Sequence, residues 1–201
     1  MRLLTRTGMA IALAAALSGC SLGGLLGGGG KPPTTLVTLT PEAAAPGQIA
    51  RTASAGQSVT IEIPTVPKEL AFSRVPVQLG PTNVQYVTNL QLVDTPDRLF
   101  QGLLEETVRR TTNRVVLGTA QSTLDPGVTI TGQLQQFGYD TSSGQVVVTY
   151  DAAKTTAGGA GISTRRFTGS APADGTAPTV GPALNRAANQ VALDVARWIG
   201  G

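Results

Sequence analysis

Val128-Thr129-Ile130-Thr131-Gly132-Gln133-Leu134-Gln135-Gln136-Phe137-Gly138-Tyr139-Asp140, then Thr141-Ser142-Ser143-Gly144, then Gln145-Val146-Val147-Val148-Thr149-Tyr150-Asp151-Ala152-Ala153: this run decides the fold. Up to Leu134 apolar and polar residues alternate, the period of a strand with one face on a core. Beyond it the apolar residues change parity to Phe137 and Tyr139. One extra residue in a strand has this effect, so a β-bulge is expected near Gln135-Gln136. After the turn at 141–144, Val146, Val148 and Tyr150 fall on one face and Val147, Thr149 and Asp151 on the other. The run is therefore a long antiparallel hairpin. A glycine-rich turn at 155–161 leads to a third meander strand, 162–170, with Arg165, Phe167 and Gly169 on one side.

Upstream, Thr95-Pro96-Asp97 reads as a helix start: Thr95 as N-cap, a proline where its missing N–H costs nothing, and an acid at the positive end of the dipole. Leu99, Phe100, Leu103, Leu104 and Val108 follow at helical spacing and set the limits at 96–111. Glu105-Arg109 and Glu106-Arg110 are spaced for i,i+4 ion pairs, the pattern of a solvated helix face. A second helix is expected from about Thr179, with Pro182 in its first turn and a stripe of Leu184, Ala187, Ala188, Val191, Val195 and Trp198. The Trp is read as an anchor of this helix in the core. Before the first helix, 59–63 alternates as a half-buried strand closed by Pro64, and two extended pieces span 74–79 and 83–87. Pro76 confines the first of these to an edge or an irregular position. A β-branched run at 35–39, a loop at 40–57, a short strand at 115–117, a turn at 125–127 and a loop at 171–178 complete the chain. The expected fold is α+β: one domain with a mainly antiparallel sheet and two amphipathic helices packed on it.

The first part of the chain has another grammar. Arg2 and Arg6 precede an apolar run from Met9 to Leu17, too short to span a bilayer, which takes about 20 apolar residues. Leu17-Ser18-Gly19-Cys20 ends the run and resembles the bacterial lipobox. The resemblance implies a lipoprotein signal peptide at 1–19, cleavage before Cys20, and palmitate-type acylation of Cys20. The stretch from Ser21 to Pro33 holds a Gly23-Gly24 pair and the four glycines 27–30, so 20–33 reads as lipid anchor and tether, with a span of about 20 Å. A phosphate-binding loop would need a Lys-Ser/Thr that is missing here. The domain proper is 34–201.

Removing Arg2 and Arg6 from 15 Lys and Arg leaves 13 against 12 Asp and Glu, and no basic run argues for nucleic acid. The chain has no histidine and one cysteine. Ser-His-Asp and Cys-His catalysis and imidazole or thiolate metal sites are thereby excluded. The acid pairs Asp94/Asp97 and Glu105/Glu106 read as helix capping and helix surface. No catalytic, cofactor or metal residue is assigned, and the chain is expected not to be an enzyme.

The order of elements carries a resemblance. Leu36-Val37-Thr38-Leu39, the strand from Val59 to Pro64, Thr95-Pro96-Asp97-Arg98-Leu99-Phe100-Gln101-Gly102-Leu103-Leu104-Glu105, Ile130-Thr131-Gly132-Gln133-Leu134-Gln135-Gln136-Phe137 and the terminal Trp198-Ile199 together resemble the ABC-type transport auxiliary lipoproteins, the family of paraquat-inducible protein C. Asn89-Leu90-Gln91-Leu92 departs from it, standing where many members carry a Trp. The resemblance implies a non-catalytic partner of an MCE-domain protein and of an ABC permease and ATPase, in lipid transport between inner and outer membranes, with possible homo-oligomers. Lipoproteins kept at the inner membrane commonly carry Asp after the acylated Cys. Ser21 therefore implies the periplasmic side of the outer membrane. A lipid-binding carrier and a structural outer-membrane lipoprotein with unrelated partners stand as alternatives.

Overall fold

The computed structural model describes residues 35–200, apart from 46, 48, 49, 126, 157 and 158. The expected signal, Cys20 and the tether lie outside the described residues, as does the middle of the turn at 125–127. The strands are β1 (Val59–Ile61), β2 (Arg74–Gln78), β3 (Val84–Gln91), β4 (Val116–Leu117), β5 (Val128–Asp140), β6 (Gln145–Thr155) and β7 (Ile162–Pro172). The helices α1 (Pro96–Thr111) and α2 (Ala177–Gly200) follow β3 and β7, and 3-10 turns occupy Lys68–Leu70 and Thr119–Leu124.

β5 is the axis of a seven-stranded sheet. On one side it pairs antiparallel with β6, and β6 with β7, which is the expected meander. The register steps from Leu134↔Tyr150 to Gln136↔Thr149, so Gln135 is the extra residue of a β-bulge where the parity change put it. The bulge keeps Ile130, Leu134 and Phe137 all buried despite their odd spacing. The other edge of β5 takes its neighbours in parallel: β1 beside Val128–Ile130, Thr65 beside Gln133, and β2 beside Tyr139–Asp140. β4 flanks β1 in parallel and β3 flanks β2 antiparallel, which makes the sheet mixed within an α+β domain.

Two expectations are refined here: the extent and burial of β1, and the position of β2, where the irregular alternative holds rather than the edge. β1 ends at Ile61, is paired along both edges by β4 and β5, and has all three of its residues buried; Ile63 has left the sheet and is 44% exposed. β2 is not an edge strand, since β3 lies on one side and β5 on the other, and the edge falls to β3. Pro76 sits where the β2–β3 register shifts, between Arg74↔Gln91 and Pro76↔Tyr86, so its missing N–H coincides with an irregular position. The residues of β3 that bulge out there include Asn89, in the left-handed region at φ 58°.

Both helices cover one face of the sheet. Val146, Val148 and Tyr150 of β6 and Phe167, Gly169 and Ala171 of β7 point into the core, where Tyr150 meets Phe100 of α1 at 5.1 Å between ring centroids. Burying each Leu or Val of the α2 stripe stabilises the fold by about 1.5–3 kcal/mol. Gly169 lets α2 approach this closely: a Cβ there would run into the carbonyl oxygen of Ala187 and lie 3.1 Å from Val191 Cγ2. The opposite face is polar, with Thr149 and Thr168 paired at 3.4 Å and Asp151 bound by Arg166 through two bonds of 2.6 Å. One apolar and one solvated face is the usual state of an antiparallel sheet.

The limits of α1 are those expected, and the hydroxyl of Thr95 makes no cap bond. The Asp94 carboxylate instead accepts the Thr95 amide at 2.7 Å. α2 starts at Ala177, which places Pro182 in the second turn, where it has no N–H to donate to the carbonyl of Pro178. Asp174 organises the start of α2 by accepting from the amide of Thr176 at 2.9 Å and from the hydroxyls of Thr176 and Thr179. Those bonds, the Thr176 hydroxyl first, hold its carboxyl down at about 2. Trp198 is half-buried at the core rim, its ring tilted against Phe167 at 5.6 Å between centroids, with the Lys154 ammonium 4.8 Å from its ring.

Candidate functional site

The one residue that the sequence assigns a chemical role, Cys20, lies outside the described residues, so the site begins where the chain from it joins the domain. Residues 35–44 run extended across the domain as a strap. Val37 continues the β2–β3 pair: its amide donates to the Gln91 carbonyl at 2.9 Å, and its carbonyl accepts the Val93 amide at 3.0 Å. Farther on, the strap is held by side chains. Asn185 and Asn189 are one helical turn apart on α2, so their carboxamides face the same way. The Thr40 amide donates to Asn185 Oδ1 and the Glu42 amide to Asn189 Oδ1, both at 2.8 Å. Asn189 Nδ2 donates to the Thr40 carbonyl at 2.9 Å, and Asn185 Nδ2 to the Glu42 carboxylate at 3.1 Å. A carboxamide carries donor and acceptor together and matches the alternating N–H and C=O of an extended chain.

Arg110 of α1 closes the clamp, donating to the Ala43 carbonyl at 2.9 Å while paired with Glu106 at 2.7 Å. The ion pairs Glu105-Arg109 and Glu106-Arg110 both form, as their spacing predicts. They are not wholly a solvated face, because Arg110 is also a strap anchor. Beside the strap, α1 and α2 leave a surface cavity of about 560 Å³ lined by Glu42, Ala43, Thr107, Arg110, Arg186 and Asn189. A second, of about 620 Å³, opens between the C-terminal ends of the helices at Thr112, Asn113, Arg114, Leu193 and Arg197.

The Arg166 guanidinium holds the Asp151 carboxyl below the usual range, with Gln135 adding a bond at 3.2 Å. Asp97 carries one buried oxygen without a hydrogen-bond partner, and so does the Tyr150 hydroxyl, whose pKa burial pushes up. Among the described residues no group of three or more acids, histidines and cysteines is arranged to hold a metal ion. Asn185 and Asn189, which hold the strap, are the residues that sequence reasoning passed over. Their signal was two asparagines at i,i+4 in an otherwise alanine-rich helix, and the loop assigned to 40–57 hid their partner.

A family model described as "ABC-type transport auxiliary lipoprotein component" matches residues 38–196, from the strap almost to the end of α2. No curated protein matches the chain. Among solved structures, the crystal structure of protein XCC0632 from Xanthomonas campestris aligns with a TM-score of 0.64 at 14% identity, covering 84% of this chain and 92% of that one. A second crystal structure, of a protein described as uncharacterized, aligns with a TM-score of 0.58 at 18% identity over 75% of this chain and 96% of the other. At such identities the likeness is one of fold.

Proposed function

Because the chain belongs to the family of ABC-type transport auxiliary lipoprotein components, we propose that it is a non-catalytic, lipid-anchored subunit that docks on an ABC transporter assembly from the periplasmic side. The observation that carries this reading is the span of the family match, which runs from within the strap through α1 and the whole meander to Ala196 in α2. No helix among the described residues is long and apolar enough to cross a membrane. Attachment in this reading therefore falls to acyl chains on Cys20, cut from the signal at 1–19 and joined to the domain through the glycine-rich segment. We assign the anchor to the periplasmic leaflet of the outer membrane, on Ser21 following the cysteine. The partners are an MCE-domain protein with its permease and ATPase, and the cargo is lipid moving between the two membranes.

The strap gives this reading a mechanical basis. Any pull transmitted from the anchor reaches the domain through residues 35–44, and those are tied to the β2–β3 pair, to α2 and to α1 by backbone and side-chain bonds. The strap is thereby fixed to the body of the domain at several points. Two observations test the assignment: genes for a permease, an ATPase and an MCE protein beside the coding gene, and palmitate incorporation that stops with Cys20→Ala. A chain that takes up no palmitate and sits among unrelated genes overturns it.

A further inference from the structure

The outer face of the sheet, polar along β5, β6 and β7, turns apolar where the strap joins it. Leu36 is 52% exposed, Phe72 51% and Val93 50%. Their adjacency follows from register. The Leu92 amide donates to the Ser73 carbonyl, so Phe72 stands opposite Val93. Val37 bridges Leu92 in parallel, which puts Leu36 beside Gln91. Val37 packs on the core and Leu92 is buried in it, so Leu36, Phe72 and Val93 point away from it together. Arg74 shares this face through its pairing with Gln91, and its guanidinium lies 4.3 Å from the Tyr86 ring. Asp94, the neighbouring acid, turns its carboxylate onto the Thr95 amide.

We propose that this patch is the face the domain lays on the lipid headgroup region of the membrane that anchors it. The inference rests on acylation of Cys20, and one further fact selects lipid as the occupant. Leu36, a member of the patch, follows Cys20 by only sixteen residues, most of them the Gly- and Pro-rich segment 21–33. A segment of that composition spans about 20 Å, which keeps the patch within reach of the bilayer. Its chemistry suits an interface: an aromatic and two aliphatic side chains for the acyl boundary, ringed by an arginine and a tyrosine whose mixed character fits headgroup depth. The Arg74 guanidinium complements lipid phosphate. With the acyl chains already securing residence, the patch sets orientation and turns the helix groove, on the opposite face of the sheet, away from the lipid.

Full-length acylated protein, reconstituted in vesicles of phosphatidylethanolamine and phosphatidylglycerol, provides the test. Val93→Cys and Phe72→Cys each supply one free thiol for an environment-sensitive fluorophore, because Cys20 is blocked by its lipid. Ser163→Cys on β7 is the control. Blue-shifted emission and quenching by nitroxide lipids at 93 and 72, absent at 163 and reduced by Arg74→Glu, are the expected results. Fluorophores at 93 and 72 that stay as wet as the one at 163 overturn the proposal. So does burial that appears only in native membranes, which would assign the patch to a protein partner. Failure of the acylation reading looks different: the chain then lacks the acyl mass and does not float with the vesicles.

Discussion

Asp174 ties the start of α2 with a carboxylate that titrates far below its ordinary value of 3.8, at about 2. A depressed folded pKa means that the ionised form is favoured by the native state. Its contribution is complete above the unfolded value and is lost as pH falls through the folded one. Asp174→Ala should therefore melt at lower temperature than the native chain at pH 7. The gap should close between about pH 4 and about pH 2, followed by circular dichroism. Tyr150 makes the opposite case. Its hydroxyl is buried and has no partner among the described residues, and such a group costs about 1–3 kcal/mol. Tyr150→Phe keeps the ring on Phe100 and should leave stability unchanged or raise it by up to that amount in denaturant titration. A clear loss would show that the hydroxyl is bonded, for instance to an ordered water.

At the scale of elements, the strap and the α2–β7 contact are the two points where a single substitution tells most. Asn189 is 7% exposed and serves the Thr40 carbonyl and the Glu42 amide at once. Asn189→Ala should cost about 1–3 kcal/mol and speed hydrogen exchange at the amides of Thr40 and Glu42 while leaving β6 protected. Gly169→Val forces branched carbon into the backbone of α2 and should cost about 1–3 kcal/mol or more by overpacking, seen as a lower melting midpoint. These elements also mark what the sequence could disclose. The bulge at Gln135 was legible because strand period is two, and one extra residue flips every later side chain. The limits of α1 were legible because Pro96 and the apolar stripe mark them locally. The parallel pairing of β1 and β2 with β5 was not, since it joins residues far apart that share no turn. Nor was the strap, whose amides are held by asparagines some 145 residues away in a stretch with no periodicity. Thr95 was assigned its cap from residue type alone, while Asp94 next to it takes up the Thr95 amide.

The whole molecule, in the proposed reading, divides labour between a folded body and an anchor. Cys20→Ala should move the protein from the membrane to the soluble fraction without changing its melting curve, since the described buried core is built from residues between Val59 and Ile199. Loss of folding instead would show that the anchor segment is part of the domain. The same division explains why the fold was easier to read than the interaction surface. Core positions obey period and burial, whereas Leu36, Phe72 and Val93 come from three separate segments and meet only through register. The central claim, an auxiliary role in ABC-type transport, is tested most directly by crosslinking the native lipoprotein in intact cells, purifying it from membranes and identifying what it carries. An MCE-domain protein with its permease and ATPase, recovered with the native chain and lost with Cys20→Ala, is the predicted result. Recovery of the chain with none of these components would contradict it.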